Sequence, residues 1–332
     1  MAYKYIWEDP RTFKINKEDG HTFTMPFDSI EQAMSGEESQ YKQSLNGQWK
    51  FYWQRGMENQ PSDFQSPNFD DSKWGEIKVP SVWQTEGYSV PYYYASTFPR
   101  ALSRVKSQIP KIDSTMQEIG FYRRSFTLPE AWDGREIFLT FSACKAALEV
   151  WVNGEYVGFS TGSMTPHEFD VTKYLKSGEN LVCAKVYRFA ATSYLEDQDM
   201  WWLCGIYREV FLYAEPKTCL RDFYVKTDLD EEYKDSELSL DGYIKNYNSE
   251  KKTVRFQASI LSDTGKETPI GEGETEIAPG ETATIKLSQF IKNPKKWSAE
   301  QPNLYKLVMA ISSNHEIIAA KTYNIGLSLI HI

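Results

Sequence analysis

The sequence predicts an all-β protein built from two β-sandwiches in series, a jelly roll followed by an immunoglobulin-like domain. Three observations carry that prediction. Strand-like runs recur at short intervals, with turn residues between them. Up to residue 215 no segment reads as a long amphipathic helix. Aromatic residues reach 15% of the chain, with 21 Tyr, 18 Phe and 10 Trp. Such residues suit pleated, half-buried surfaces, and core burial explains most of them without any ligand. At 332 residues the chain is too long for one comfortable core.

Residues 1–40 are polar and irregular and read as an N-terminal arm. In "GQWKFYWQ", Trp49, Phe51 and Trp53 alternate with Lys50 and Tyr52, which places three large rings on one strand face. A polar stretch rich in Asp, Ser and Pro precedes "WGEIKVPSVWQ". Pro80 and Pro91 force extended backbone at the residues before them. "GFYRRSFTL" and "REIFLTFSA" are the next strands. "AALEVWVNGEYVGFS" carries Asn153-Gly154 between apolar alternations, the signal of a hairpin with a type I′ turn. "NLVCAKVYRF" and "REVFLYAE" complete a jelly roll over residues 41–216.

Pro216 interrupts the strand pattern and marks a boundary. Beyond it "LRDFYVKTDL", "ELSLDGYIKN", "KTVRFQASILS", "TATIKLSQF", "LYKLVMAIS" and "EIIAAKTYNIG" read as six strands, punctuated by the turns "DTGKE" and "APGET". That rhythm fits an immunoglobulin-like sandwich over residues 217–327, without the Cys-Trp-Cys pattern of antibody domains. Residues 328–332 form an atypical tail.

The formal net charge of −9 and the lack of a basic cluster argue against nucleic acid and anionic membrane as partners. No window approaches the roughly 20 apolar residues of a bilayer span, and the N-terminus has no apolar signal core. Cys144, Cys183, Cys204 and Cys219 lack CxxC spacing and read as reduced thiols of a cytoplasmic protein. His21, His167, His315 and His331 form no metal motif and read as surface or cap residues. Adjacent Asp70 and Asp71 read as turn and cap residues.

The segment "YLEDQDMWWLCGIYREV" (Tyr194–Val210) stands apart, with Glu196, Asp197 and Asp199 immediately before Trp201 and Trp202. It joins two strands and so lies on a loop at a rim of the sandwich, where binding groups are usually carried. Two assignments stand. The acids form turn hydrogen bonds and salt bridges, for example with Arg188 or Arg208, which residue chemistry alone favours. Or they bind a ligand, with the tryptophans anchoring the loop and fencing a sugar face.

Taken together, "WEDP" (Trp7–Pro10), "SLNGQWKF", "VPSVWQTEGYSVPYY", "WVNGEYVGFS", "EFDVTKYLKSGENL", "SYLEDQDMWWLCGIYREV" and "NPKKWSAEQPNLYKLVM" span almost the whole chain. With them the sequence resembles the N-terminal half of β-galactosidases of glycoside hydrolase family 2. The resemblance implies a non-catalytic jelly roll that reaches toward an active site held on a separate (β/α)₈ barrel. It implies that Asp199 ligates a sodium ion and contacts the galactose 6-hydroxyl, and that Glu196 and Asp197 shape its loop. Where the family usually carries a galactose-contacting Asn, this chain has Ala95, which offers no side-chain hydrogen bond. Ser96 and Thr97 place hydroxyls nearby.

Retaining glycosidases need two carboxyl groups about 5–5.5 Å apart, and in this family both sit on the barrel. The chain ends at "YNIGLSLIHI", where about 250 further residues would be needed for a barrel. The expectation is therefore a fragment of a β-galactosidase with no catalytic residue of its own. Its partners would be a β-galactoside and the missing C-terminal barrel. Magnesium is expected only in that barrel, and a homo-oligomer only in the full-length enzyme. The alternative is a standalone carbohydrate-binding or assembly module.

Overall fold

The computed structural model describes residues 3–93 and 109–328. It divides into one unit of Met1–Asp19, Gln43–Asp133 and Ile137–Leu212, and a second of Gly20–Lys42, Gly134–Glu136 and Tyr213–Ile332. The N-terminal segment is thus shared, its first part packing with one unit and its second part with the other. The only α-helices among the described residues are α1 (Ile30–Met34) and α2 (Ser193–Glu196).

The first unit is built from β1 (Lys14–Ile15), β2 (Lys42–Ser44), β3 (Gly47–Arg55), β4 (Gly75–Val79), β5 (Glu118–Thr127) and β6 (Glu136–Phe141). It continues with β7 (Ala147–Val152), β8 (Glu155–Thr161), β9 (His167–Asp170), β10 (Glu179–Tyr187) and β11 (Val210–Glu215). A seven-stranded sheet runs in the order β1-β8-β7-β10-β5-β3-β4, and a four-stranded sheet in the order β2-β11-β6-β9. Together they form the jelly-roll sandwich. The Asn153-Gly154 turn has φ of 53° and 91°, the two positive values a type I′ turn needs. The Asn153 side chain is spent on structure: Oδ1 accepts from Leu181 N at 3.0 Å, and Nδ2 donates to Asn180 Oδ1 and Tyr174 O.

In β3, Trp49 and Phe51 are buried as the alternation predicts, while Trp53 near the strand end is half-buried. Central β5 is covered on both faces. The ring of Tyr122 meets Phe51 at 4.7 Å and Trp49 at 6.3 Å. On the opposite face Phe121 meets Phe64, in the polar stretch after β3, and Trp74, which directly follows it. That stretch is a cover for an aromatic sheet face, because large rings left in water forfeit their burial energy. Asp70 caps its turn by accepting from Ser72 N at 3.0 Å, whereas Asp71 pairs with buried Arg123 at 2.7 Å.

The second unit contains β12 (Thr218–Leu229), β13 (Ser236–Asn246), β14 (Lys252–Leu261), β15 (Glu267–Ile277), β16 (Thr282–Ile291), β17 (Tyr305–Ser313) and β18 (Glu316–Ile325). They form sheets β12-β13-β16 and β15-β14-β17-β18, the immunoglobulin-like sandwich with its fourth strand paired to the third. In β13 buried and partly exposed residues alternate without a break. Its Gly242 makes room for the Phe256 ring, which a Cβ there would meet at 2.6 Å. Strand β15 is the one the sequence pattern leaves out. It buries only Ile270 and Ile277, and its Glu residues face solvent along a sheet edge, which charge keeps unsociable. In "WSAEQPNLY" the Trp297 N–H donates to Leu327 O at 2.8 Å, and the ring lies over Gly326, closing one end of the sandwich.

The histidines depart from the expected surface placement at one position. His315 is exposed in the β17–β18 turn, and half-buried His21 meets Arg221 at 3.1 Å, while His331 lies outside the described residues. His167 is completely buried, its Nδ1 2.6 Å from Ser160 Oγ. The pattern misjudged it because the His167 side chain on edge strand β9 is turned into the interior, where a neutral imidazole packs like an apolar ring. Burial depresses its pKa to about 3, with the Lys17 cation acting in the same direction. In the unfolded chain the same imidazole takes its proton near pH 6.5. Below that pH the unfolded state therefore binds the extra proton, and stability falls between pH 6.5 and about 3. Denaturant unfolding as a function of pH should show this slope in the parent. In His167→Asn its contribution, up to about 1.4 kcal/mol per pH unit, should vanish.

Candidate functional site

The loop between β10 and β11 spans residues 188–209, and its clustered carboxylates Glu196, Asp197 and Asp199 meet three different fates. Its base is fixed first. Trp7, in a short 3₁₀ turn of the "WEDP" segment, is buried, and its carbonyl accepts Ala191 N at 2.8 Å. Gln117 holds the strand exit from both sides, donating to Phe189 O at 2.7 Å and accepting from Phe189 N at 3.0 Å.

Arg188 is the hub. It is 1% exposed, and its Nη1 meets both Glu118 oxygens at 2.8 and 2.9 Å and Ser89 Oγ at 2.6 Å. Its Nη2 donates to Val90 O at 2.9 Å and Trp202 O at 3.0 Å, and the guanidinium lies over the Tyr92 ring. One planar fork thus joins β5, the 89–93 segment and the rim loop. The expected pairing of Arg188 with the loop acids is corrected, since its carboxylate partner is Glu118. Arg208 bonds Met164 O instead.

Glu196 ends α2 and accepts from Ser163 N at 2.9 Å and Ser163 Oγ at 2.6 Å, tying the loop to the turn after β8. Asp197 is fully buried and forms an ion pair with Lys145, itself 3% exposed. Burial pushes the Asp197 carboxyl upward, and the Lys145 cation pulls it back down. Its oxygens accept no other hydrogen bond among the described residues. Trp202 is 1% exposed and donates its Nε1 to Asp197 O at 2.9 Å, so this tryptophan is the anchor.

Asp199 is different. It is exposed and sits in left-handed backbone at φ 48°. Its Oδ1 accepts the Tyr93 hydroxyl at 2.5 Å, and this carboxylate raises the pKa of the phenol. Oδ2 has no donor among the described residues. Trp201, 56% exposed, bridges to Tyr93 along the backbone, with ring centroids 5.6 Å apart. An open carboxylate oxygen, the Tyr93 phenol and the exposed Trp201 ring therefore share one patch. The patch can accept a hydroxyl or a hard cation and present apolar faces to a sugar ring. Ala95 lies outside the described residues.

Sequence reasoning missed Lys145, Glu118 and Tyr93 as partners. Lys145 had a signal: a single cation in the apolar run "FSACKAALEV" must find a counter-charge if that run is buried. Among the described residues no cluster of three or more His, Cys, Asp or Glu is placed to hold a metal ion.

Two β-sandwiches that follow one another along the chain, with a loop-borne acidic and aromatic patch on the first, define a two-domain all-β scaffold. Residues 42–216 match the family model "Glycosyl hydrolases family 2, sugar binding domain", and residues 218–327 match "Glycosyl hydrolases family 2". The chain belongs to glycoside hydrolase family 2. Among curated proteins it is 36% identical to a β-galactosidase of Priestia megaterium over 322 residues, covering 96% of this chain and 31% of that protein. It is 34% identical to a β-galactosidase of Photobacterium profundum, covering 98% of this chain and 31% of that protein. The chain thus spans about a third of the length of these relatives. Among solved structures, a Bacteroides uniformis β-glucuronidase superposes with a TM-score of 0.70 at 23% identity, covering 86% of this chain and 32% of that one, which establishes the shared fold.

The Arg188 hub is testable. Arg188→Met strands the Glu118 carboxylate in the interior and should destabilise the protein by about 3–5 kcal/mol. Urea unfolding should show a lower midpoint with an unchanged slope.

Proposed function

We propose that this chain is the sugar-contacting, non-catalytic part of a β-galactosidase-type glycoside hydrolase, which lends Asp199 to an active site whose reactive carboxylates reside elsewhere. One observation carries the proposal. Of the three clustered acids Glu196, Asp197 and Asp199, the first two are consumed internally, and Asp199 keeps an open oxygen at the surface. The names of the relatives and the family support the galactoside as ligand.

A monovalent cation such as sodium fits the donor chemistry of this patch. Asp199 Oδ2 is a hard anionic oxygen without a protein donor among the described residues, and Tyr93 holds Oδ1 in place. Bound there, the cation would supply a fixed positive charge to a sugar hydroxyl. Asp199 would be its ligand from this chain. Tyr93 orients the carboxylate, and Trp201 shields one side of the patch from water.

The test joins this chain to the remainder of the Priestia megaterium β-galactosidase, in place of that protein's matching region. The chimera should hydrolyse a nitrophenyl galactoside, and Asp199→Ala should lower kcat/KM about ten- to hundredfold, the value of a charge-assisted contact. It should also abolish the difference between sodium and potassium buffers. An Asp199→Ala chimera with unchanged kcat/KM in both buffers would contradict the proposal.

A second reading, a standalone carbohydrate-binding module, draws on the exposed Tyr93–Trp201 pair. Calorimetry on the isolated chain separates the two. The scaffold reading expects no heat from galactose or lactose, whereas millimolar or tighter binding favours the module.

A further inference from the structure

We infer that Lys145 is the positioning residue of the rim loop, gripping both ends of residues 198–203 so that Asp199 and Trp201 stand in fixed places. The inference rests on the reading of Asp199 as a contact residue. Lys145 lies in the link between β6 and β7, far from the loop in sequence. Its backbone N–H donates to Gly205 O at 3.2 Å, and its carbonyl accepts the Cys204 thiol at 2.8 Å. Its ammonium pairs with Asp197 at the other end. One residue therefore closes the loop at 197 with its side chain and at 204–205 with its main chain.

The charge on the side chain is what makes the grip directional. Asp197 is fully buried, and among the described residues no other donor reaches its oxygens. Moving that end of the loop would strand a carboxylate in the interior, which is strongly unfavourable. A buried ion pair adds little net stability over apolar residues of equal size, but it penalises every geometry except one. Arg188 adds a second hold through Trp202 O, yet it touches the loop at that carbonyl alone and its counter-ion lies on β5. Met200 packs against the buried cluster, Trp83 and Gln84 also hold Cys204, and Lys145 and the Tyr93 contact are polar supports of residues 197–201.

The test is amide hydrogen exchange read by mass spectrometry on the 332-residue chain. The double variant K145M/D197N replaces the pair by neutral groups of similar size, so no unpaired charge obstructs folding. It should keep the parent circular dichroism and exchange residues 198–203 about tenfold faster, with β6, β7 and β10 unchanged. Lys145→Arg retains a cation and should stay within about threefold of the parent. The inference is overturned if the neutral pair protects the loop as the parent does. It is also overturned if the three strands loosen as much as the loop, or if the arginine variant exchanges as fast as the neutral one. These outcomes do not depend on sugar binding. Faster loop exchange in the neutral pair, together with an Asp199→Ala chimera of unchanged kcat/KM, would keep the positioning role and retire the sugar contact.

Discussion

A buried charge must be matched by another, and that constraint organises the first sandwich around its rim loop. Arg188 with Glu118 and Lys145 with Asp197 are each almost wholly withdrawn from water. Neither pair is a strong source of stability, because desolvation offsets most of the attraction. Their effect is geometric. Each pair tolerates one arrangement of the loop and makes the alternatives expensive. Within that arrangement Glu196 faces inward to Ser163, Trp202 is sealed beneath the loop, and Asp199 is left outside. An exposed carboxylate needs no protein counter-charge, so it is free to meet a ligand.

The close spacing of acids and tryptophans in "YLEDQDMWW" follows from this division of labour. Asp197 and Trp202 are the buried partners, joined by the indole N–H to the aspartate carbonyl. Asp199 and Trp201 are the exposed ones, both in contact with Tyr93. The irregular backbone of the segment, with Asp199 in left-handed conformation, turns one acid and one ring inward and one of each outward. The aromatic excess of the chain follows the same logic on a larger scale. Trp201 is the one exposed tryptophan of the ten, and the other nine are buried or half-buried.

Much of the fold was legible in the sequence, because strand periodicity and turn chemistry are local. The Asn153-Gly154 hairpin and the alternation of β13 needed no tertiary information. Strand β15 escaped because its side chains face solvent along most of its length, so no hydrophobic period marks it. His167 was misplaced because burial of a neutral ring leaves no trace in residue type. At the site, the special standing of Asp199 was legible only through the resemblance of its segment to a known family. Its supports were not, because Lys145 and Glu118 are brought to the loop by sheet topology from distant parts of the chain. The cover over β5 from Phe64 to Trp74 was hidden for a similar reason, its rings being scattered among polar residues.

The claim beneath all of this is that three neighbouring carboxylates occupy three distinct environments. Carboxyl footprinting with a carbodiimide and glycine ethyl ester, read residue by residue in the native chain, measures that directly. Asp199 should label at the rate of a surface acid, Glu196 more slowly, and Asp197 only after unfolding. Equal labelling of Asp197 and Asp199, or protection of Asp199, would contradict the account.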